Sequence, residues 1–240
     1  MYAHGKLLLT GEYFVLDGAL ALAMPTHFGQ RLAINPQPAF PFQLHWRSLT
    51  KEGKEWFRGN WTLEDGHPIL GEHTDASVAE RLQQLFLAIQ QQDARGLTKL
   101  FQADVRVRLE FDREWGLGSS STLVSLLAQI SKTEPYQLLA DTFGGSGYDI
   151  ACATAEGPIF YQRRDGQPHS EPAHWEPAYH EQLYFVYLRQ KQNSREGIRY
   201  YRELGGTQAS LVDEVSQLTS AFHQASTLQE AQQAAAAHED

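Results

Sequence analysis

At the centre of the chain stands Trp115-Gly116-Leu117-Gly118-Ser119-Ser120-Ser121. Upstream, the segment from Val105 to Phe111 alternates apolar with charged side chains, which predicts a strand with one buried face. Downstream, the segment from Leu123 to Ile130 places apolar side chains on one helical face. A glycine-rich turn between a strand and a helix suits anion binding, because glycine lets the backbone approach a ligand and the first helical N–H groups have no partner within the helix. The stretch predicts a phosphate site, with a flexible loop and a serine cap as the alternative.

The turn departs from two well-known nucleotide motifs. It lacks the Gly-Lys-Ser/Thr end of a P-loop, and it lacks the third glycine of the dinucleotide fingerprint. Its three consecutive serines add hydroxyl groups, and a serine hydroxyl is a suitable oxygen ligand for Mg²⁺.

A second glycine-rich turn, Gly144 to Gly147, precedes Asp149 at a predicted helix start. A carboxylate there could accept a proton from a substrate hydroxyl or hold a cation. It could equally be a first-turn aspartate that complements the helix dipole. Lys6, before an apolar strand, could lower the pKa of such a base or contact phosphate. The alternative is a strand-end lysine whose stem lies along apolar surface.

Length, charge and cysteine content bound the class of protein. The 240 residues predict one large or two small domains, and the net charge of −9 gives no support for a nucleic-acid binder. Cys152 is the single cysteine, so an intrachain disulfide is excluded and a reducing compartment is favoured. No apolar run is long enough for a membrane span, and the N-terminus does not match a signal peptide. We therefore expect a cytoplasmic protein.

Further segments can be assigned from their patterns. The first 65 residues predict strands, including the apolar run Tyr13 to Leu16 before the Asp17-Gly18 turn. The segment from Leu183 to Leu188 also predicts a strand. The region between Asp165 and His180 predicts a loop and a domain boundary. The end, Ala231 to Asp240, predicts a fraying helix or an element whose partner is missing.

Three motifs, in the correct order, resemble those of the GHMP kinases, a superfamily named for galactokinase, homoserine kinase, mevalonate kinase and phosphomevalonate kinase. Residues 5–13, from Gly5 to Tyr13, resemble its first motif. Residues 116–121 resemble its ATP-phosphate motif. Residues 145–151, Gly-Ser-Gly-Tyr-Asp-Ile-Ala, resemble the segment that carries the catalytic aspartate, and are most similar to mevalonate-pathway members.

The resemblance implies an α+β fold of two domains. Residues 1–164 would form an ATP-binding domain similar to ribosomal protein S5, and residues 165–240 a partial, apparently truncated, ferredoxin-like domain. It implies transfer of the γ-phosphoryl group of ATP, with Mg²⁺, to a mevalonate- or phosphomevalonate-like acceptor. We expect ATP and a small-molecule acceptor as partners, no nucleic acid and no membrane, with a homodimer as a candidate assembly.

The motif positions imply roles for individual residues. Asp149 matches the catalytic aspartate, and Lys6 the lysine that pairs with it. The ATP phosphates would be bound by Gly116, Leu117, Gly118, Ser119, Ser120 and Ser121, with Ser120 also as a Mg²⁺ ligand. The acceptor would be bound by Glu12, Tyr13, Ser146 and Gly147.

The sequence departs from the family pattern in two places. Leu138 and Leu139 stand near the position of the Mg²⁺-binding glutamate of mevalonate kinases, and neither Glu134 nor Asp141 matches it. The third glycine-rich motif is absent after Gly206, so we expect a fragment of a longer chain. The residues from Gln190 to Ser194 could hold the acceptor's charged group or begin a capped surface helix. A diphosphomevalonate decarboxylase and a catalytically silent nucleotide-binding module of the same fold are the alternative functions.

Overall fold

The computed structural model describes residues 1–189, 194–203 and 209–239, apart from the side chains of Arg195 and Glu239. The predicted acceptor-binding residues Gln190 to Asn193 lie outside the described residues. The chain forms two compact units that alternate along the sequence. The first unit comprises Met1–Gly5, His27–Arg113 and Leu117–Gly144, and the second comprises Lys6–Thr26, Glu114–Gly116 and Gly145–Asp240.

Runs of strands and runs of helices follow one another along the chain, as in an α+β fold. The strands are β1 (Tyr2–Leu8), β2 (Ala21–Pro36), β3 (Gln43–Leu49), β4 (Glu55–Glu64), β5 (His67–His73), β6 (Ala103–Leu109), β7 (Ile159–Arg164) and β8 (Gln167–Pro172). The helices are α1 (Ala76–Gln92), α2 (Ser119–Ser131), α3 (Pro135–Thr142), α4 (Tyr148–Thr154), α5 (Ser194–Glu203), α6 (Ala209–Gln224) and α7 (Leu228–Glu239). Short 3-10 helices cover Phe14–Asp17, Arg113–Trp115 and His180–Gln182.

The first unit contains the strand order β5-β4-β3-β6-β2, in which β2 takes part through residues 30–36. The β3–β6 pair is parallel, whereas the other pairs are antiparallel. Buried and exposed side chains alternate along β3 and β6, as expected for strands with one face in the core.

Aromatic side chains fill the core of the first unit, where α1 lies against α2 and α3. Phe86 of α1 makes edge-to-face contacts with Trp61 at 5.3 Å and with Phe101 at 5.9 Å between ring centroids. Asp75 accepts hydrogen bonds from the N–H groups of Ser77 and Val78, and so caps α1.

In the second unit, residues 21–23 of β2 pair with β7, which pairs with β8. A small apolar core joins Leu22, Ala173 and Trp175, and Phe222 of α6 packs against it. The hydroxyl of Thr219, which is fully buried, donates a hydrogen bond to the Leu20 carbonyl at 2.9 Å, and its oxygen also lies 2.9 Å from the Thr10 hydroxyl. These bonds attach α6 to the turn between β1 and β2.

Several predicted elements differ in the structure. The run Tyr13 to Leu16 is not a strand, because the chain forms a 3-10 helix that ends at Gly18 in the left-handed conformation. The predicted strand at Leu183 to Leu188 has no regular structure. Part of the predicted loop between Asp165 and His180 is β8.

The C-terminal segment is docked rather than frayed, since α7 packs on α6 and buries Ala231 and Ala234. The boundary predicted between residues 164 and 165 falls within the second unit, at the β7–β8 turn, and stays a prediction. No helix in the described part of the chain is both long and apolar enough to cross a membrane.

Candidate active site

The central glycine-rich turn leads directly into α2, a helix of 13 residues. Gly118 occupies the N-cap position with φ 85° and ψ 44°, a left-handed conformation that favours glycine. No side chain among the described residues caps this helix end. The first N–H groups of α2 are therefore available to an anion, and the helix dipole favours negative charge at this end.

The hydroxyl groups that follow Gly118 have different surroundings. Ser121 is buried and donates a hydrogen bond to the Gly118 carbonyl at 2.9 Å. Thr122 is also buried and donates to the side-chain carbonyl of Gln30 at 2.7 Å. Ser120 is exposed. Ser121 and Thr122 therefore shape the turn, while Ser120 presents its hydroxyl to solvent.

Open space surrounds the first glycine of the turn. A Cβ atom placed on Gly116 would meet nothing within 4 Å, and its φ of 75° is again left-handed. Leu117 is 9% exposed and anchors the turn. The predicted phosphate-binding residues thus form a turn with an open backbone and a buried anchor.

The second unit brings together Lys6, Tyr148, Asp149 and Cys152. Lys6 places its ammonium group 5.4 Å from the centroid of the Tyr148 ring. Asp149 lies in the first turn of α4, where one carboxylate oxygen accepts a hydrogen bond from the Ile150 N–H at 3.1 Å. The two residues assigned from the first and third motifs are thus part of one cluster.

Electrostatic effects within this cluster support the same proximity. Burial and the Asp149 carboxylate raise the pKa of the Cys152 thiol to about 12, and the positive charge of Lys6 acts in the opposite direction. Burial, Asp149 and Glu12 raise the pKa of Tyr148 well above its usual value. The cluster therefore combines one cation with two carboxylates around a neutral phenol and a neutral thiol.

The loop that carries Glu12 and Tyr13 is held in an unusual conformation. Tyr13 has φ 59°, which is strained for a side chain of this size and is often found at functional sites. Its ring stacks on Tyr201 of α5, with 5.6 Å between the centroids. The Tyr201 hydroxyl donates to Asp17 at 2.6 Å, and Gly197 of α5 leaves no room for a Cβ beside the Tyr13 ring. Helix α5 thus fixes the Tyr13 side chain.

A contact from the C-terminal helix holds the same loop. The Gly11 N–H donates to Nε2 of His238 in α7 at 2.7 Å. Glu12, the next residue, is exposed. The loop of residues 11–13 is therefore attached to both α5 and α7.

The last two predicted acceptor residues lie in the turn before α4. Gly147 is the N-cap of α4 with φ 95°, a second position where glycine is required. Ser146 is partly exposed, and its carbonyl accepts a hydrogen bond from the Tyr161 hydroxyl at 2.5 Å. Tyr161 thereby fixes the turn that precedes Asp149.

No group of three or more potential metal-binding His, Cys, Asp or Glu side chains occurs in the described ranges. Mg²⁺ does not require such a group, because it is usually bound by one or two carboxylates together with substrate phosphates.

Three residues of the second unit were missed by the sequence analysis, namely Gly197, Tyr201 and His238. Their partners are distant in sequence, and the Gly11–His238 pair is separated by 227 residues. Neither helix carries a motif for these contacts, so no signal in the sequence identifies them.

No protein-family model matches the chain, and no curated protein matches its sequence. Solved structures do match it, and they define its class: the chain has the fold of the GHMP kinases. One is L. major mevalonate kinase in complex with R-mevalonate, with 17% identity, a TM-score of 0.61, and coverage of 99% of this chain and 72% of the other.

Two further matches extend the range of similar proteins. Streptococcus pneumoniae phosphomevalonate kinase, in complex with phosphomevalonate and AMPPNP, has 15% identity, a TM-score of 0.67, and coverage of 99% of this chain and 78% of the other. A D-glycero-D-manno-heptose 1-phosphate kinase from Bacteriodes thetaiotaomicron has 14% identity, a TM-score of 0.51, and coverage of 73% and 60%. The fold implied by the three motifs is thereby confirmed.

Proposed function

We propose that the protein is an ATP-dependent small-molecule kinase, which transfers the γ-phosphoryl group of ATP to a mevalonate- or phosphomevalonate-like acceptor. The observation that carries the proposal is the grouping of Lys6, Asp149 and Glu12 around Tyr148 in a chain with a kinase fold. Two of the matched structures are kinases solved with R-mevalonate or with phosphomevalonate and AMPPNP.

Phosphoryl transfer depends mainly on positioning and on neutralisation of charge, so few protein groups are needed. The N–H groups at the start of α2 and the Ser120 hydroxyl would bind the ATP phosphates. The left-handed glycines and the open space beside Gly116 suit this role. Leu117, Ser119 and Ser121 would contribute through the backbone of the same turn.

Asp149 would accept the proton of the acceptor hydroxyl, or orient that hydroxyl for attack. Lys6 would stabilise the Asp149 carboxylate in its charged form. Glu12 and Tyr13 would contact the acceptor, together with the turn at Ser146 and Gly147. When bound, Mg²⁺ would neutralise phosphate charge, with Ser120 as a protein ligand. A cytoplasmic location and a homodimer are further parts of the proposal.

The first experiment measures ATP consumption by the purified chain with Mg²⁺ and a panel of acceptors. The panel contains mevalonate, phosphomevalonate, diphosphomevalonate, homoserine and galactose. We expect turnover with mevalonate or phosphomevalonate. Release of CO₂ from diphosphomevalonate would instead identify a decarboxylase. ATP binding by calorimetry without turnover on any acceptor would favour a silent nucleotide-binding module.

Replacement of the catalytic carboxylate separates chemistry from binding. We expect Asp149→Asn to lower kcat by about a hundredfold or more, because general acid–base groups contribute on this scale. The dissociation constant for ATP should stay nearly unchanged. Asp141→Asn is the matched control, since Asp141 is exposed on α3 and bonds to the Gln137 side chain. Equal turnover in the two variants would contradict the role of Asp149.

A further inference from the structure

The exposed face of the sheet in the first unit carries a row of arginines. Arg58, Arg47 and Arg106 project from neighbouring strands β4, β3 and β6, and all three side chains are exposed. The strand register places Arg47 opposite Arg58 on one side and opposite Arg106 on the other. Neighbouring strands are about 4.8 Å apart, so the row spans about 10 Å.

More positive charge lies beside this arginine row. Arg108 follows Arg106 on the same face of β6, and the register places it opposite Arg31 of β2. These two arginines have partners, since Arg31 pairs with Glu110 at 2.6 Å and Arg108 donates to the Lys51 carbonyl at 2.5 Å. Arg31 and Arg108 therefore already have bonding partners within the protein.

The three arginines of the row differ from this flanking pair in their contacts. Arg47, Arg58 and Arg106 form no ion pair and no side-chain hydrogen bond with any residue that the structure describes. Like charges placed opposite each other on adjacent strands destabilise a sheet. Stability alone therefore does not favour the row, and an anionic group laid across it would remove the repulsion.

We propose that the arginine row binds an acidic helix of a partner protein. Carboxylates at positions i, i+4 and i+8 of a helix are spaced by about 5–6 Å, close to the distance between adjacent strands. Each guanidinium group can bind a carboxylate through two parallel N–H groups. A helix that crosses the strands would thus place one carboxylate on each arginine.

Charge complementarity distinguishes this partner from others. The row spans about 10 Å, so a long nucleic acid or an anionic membrane would contact it over only a small part of its own surface, in a chain whose net charge is −9. Electrostatic interactions are screened over about 8–10 Å at physiological ionic strength, so a short acidic helix would experience mainly the row. A second copy docked through the same face would bring arginine against arginine.

The test uses the whole chain and a fluorescent Ala–Glu helical peptide with glutamates at i, i+4 and i+8. We expect binding in a fluorescence-anisotropy titration, and loss of binding when glutamine replaces the glutamates. The variant Arg47→Gln, Arg58→Gln, Arg106→Gln should weaken binding about tenfold, because each exposed ion pair contributes a small amount. The matched control is Arg95→Gln, Lys99→Gln, Lys132→Gln, which removes the same charge at exposed positions outside the row.

The control variant should keep the affinity of the unmodified chain. Should the triple arginine variant fail to fold by circular dichroism, Arg47→Gln alone should still weaken binding. Absence of peptide binding, or equal loss in both triple variants, would overturn the proposal. Tighter binding of a single-stranded oligonucleotide or of phosphatidylserine vesicles than of the peptide, lost in the arginine variant, would also overturn it. The kinase proposal is independent of all these outcomes.

Discussion

A single hydroxyl group, that of Thr122, connects the glycine-rich turn with the neighbouring sheet. Thr122 and Gln30 are both buried, and the bond between their side chains is 2.7 Å long. Because the turn leads directly into α2, the position of this helix end determines where the Gly118 backbone lies. The shape of the glycine-rich turn thus depends on a polar pair in the core.

Removal of that hydroxyl group should destabilise the protein without a large change in volume. In Thr122→Val the buried side-chain carbonyl of Gln30 loses its donor, so we expect a loss of about 1–3 kcal/mol in the free energy of unfolding. Urea denaturation measures this change. Thr98→Val, at an exposed threonine, should stay within about 0.5 kcal/mol of the original chain. If Thr122→Val also changes the free energy of unfolding by less than about 0.5 kcal/mol, water replaces the hydroxyl as the partner of Gln30.

At this scale the sequence predicted a phosphate site at the glycine-rich turn, which stays a prediction, but it did not indicate which of the serines is buried. The three serines are equivalent in sequence, whereas in the structure Ser121 is buried and Ser120 is exposed. That difference depends on which side of α2 meets the sheet. Gln30 bonds to Thr122, the residue after Ser121, and is 92 positions away from Thr122 in the sequence.

Among the elements, the segment after β1 shows how a turn can override an apolar pattern. Phe14 to Leu16 are apolar enough for a strand, but the left-handed conformation of Gly18, with φ 98°, closes a 3-10 helix. The strands and helices with strong periodicity, such as β6 and α2, formed as predicted. Short apolar runs lack enough residues to distinguish the two periods.

Helix α7 holds the loop of residues 11–13 through His238. We expect His238→Ala to increase amide hydrogen exchange at Gly11 by about tenfold, because a hydrogen bond of ordinary strength is lost. Exchange resolved by NMR measures this directly. His169→Ala, at an exposed position of β8, is the control. Unchanged exchange at Gly11 would mean that α7 does not restrain the loop in solution.

On the scale of the whole molecule, residues 184–188 form the most exposed apolar segment among the residues that the structure describes. Tyr184, Val186 and Leu188 are 82%, 78% and 80% exposed, and the segment has no regular structure. The sequence predicted a strand there because aromatic and β-branched residues are enriched in strands. A strand also requires a neighbour to pair with, and composition does not specify one.

Limited proteolysis with chymotrypsin should therefore cut first after Tyr184, Phe185 or Tyr187. Phe42 is the internal comparison, since it is also exposed but lies in a short loop between β2 and β3. Mass spectrometry of the first fragments identifies the cut. Early cleavage after Phe42, with residues 184–188 intact, would show that the segment is protected in solution.

The two compact units divide the chain in an interleaved order, with Met1–Gly5 in the first and Lys6–Thr26 in the second. Strand β2 contributes residues to both units. No single cut in the gene therefore releases either unit as a complete piece. Neither unit can have been gained or lost by a simple fusion at one end, so the two would have to be inherited together. Efforts to split the protein into complementary halves need more than one breakpoint.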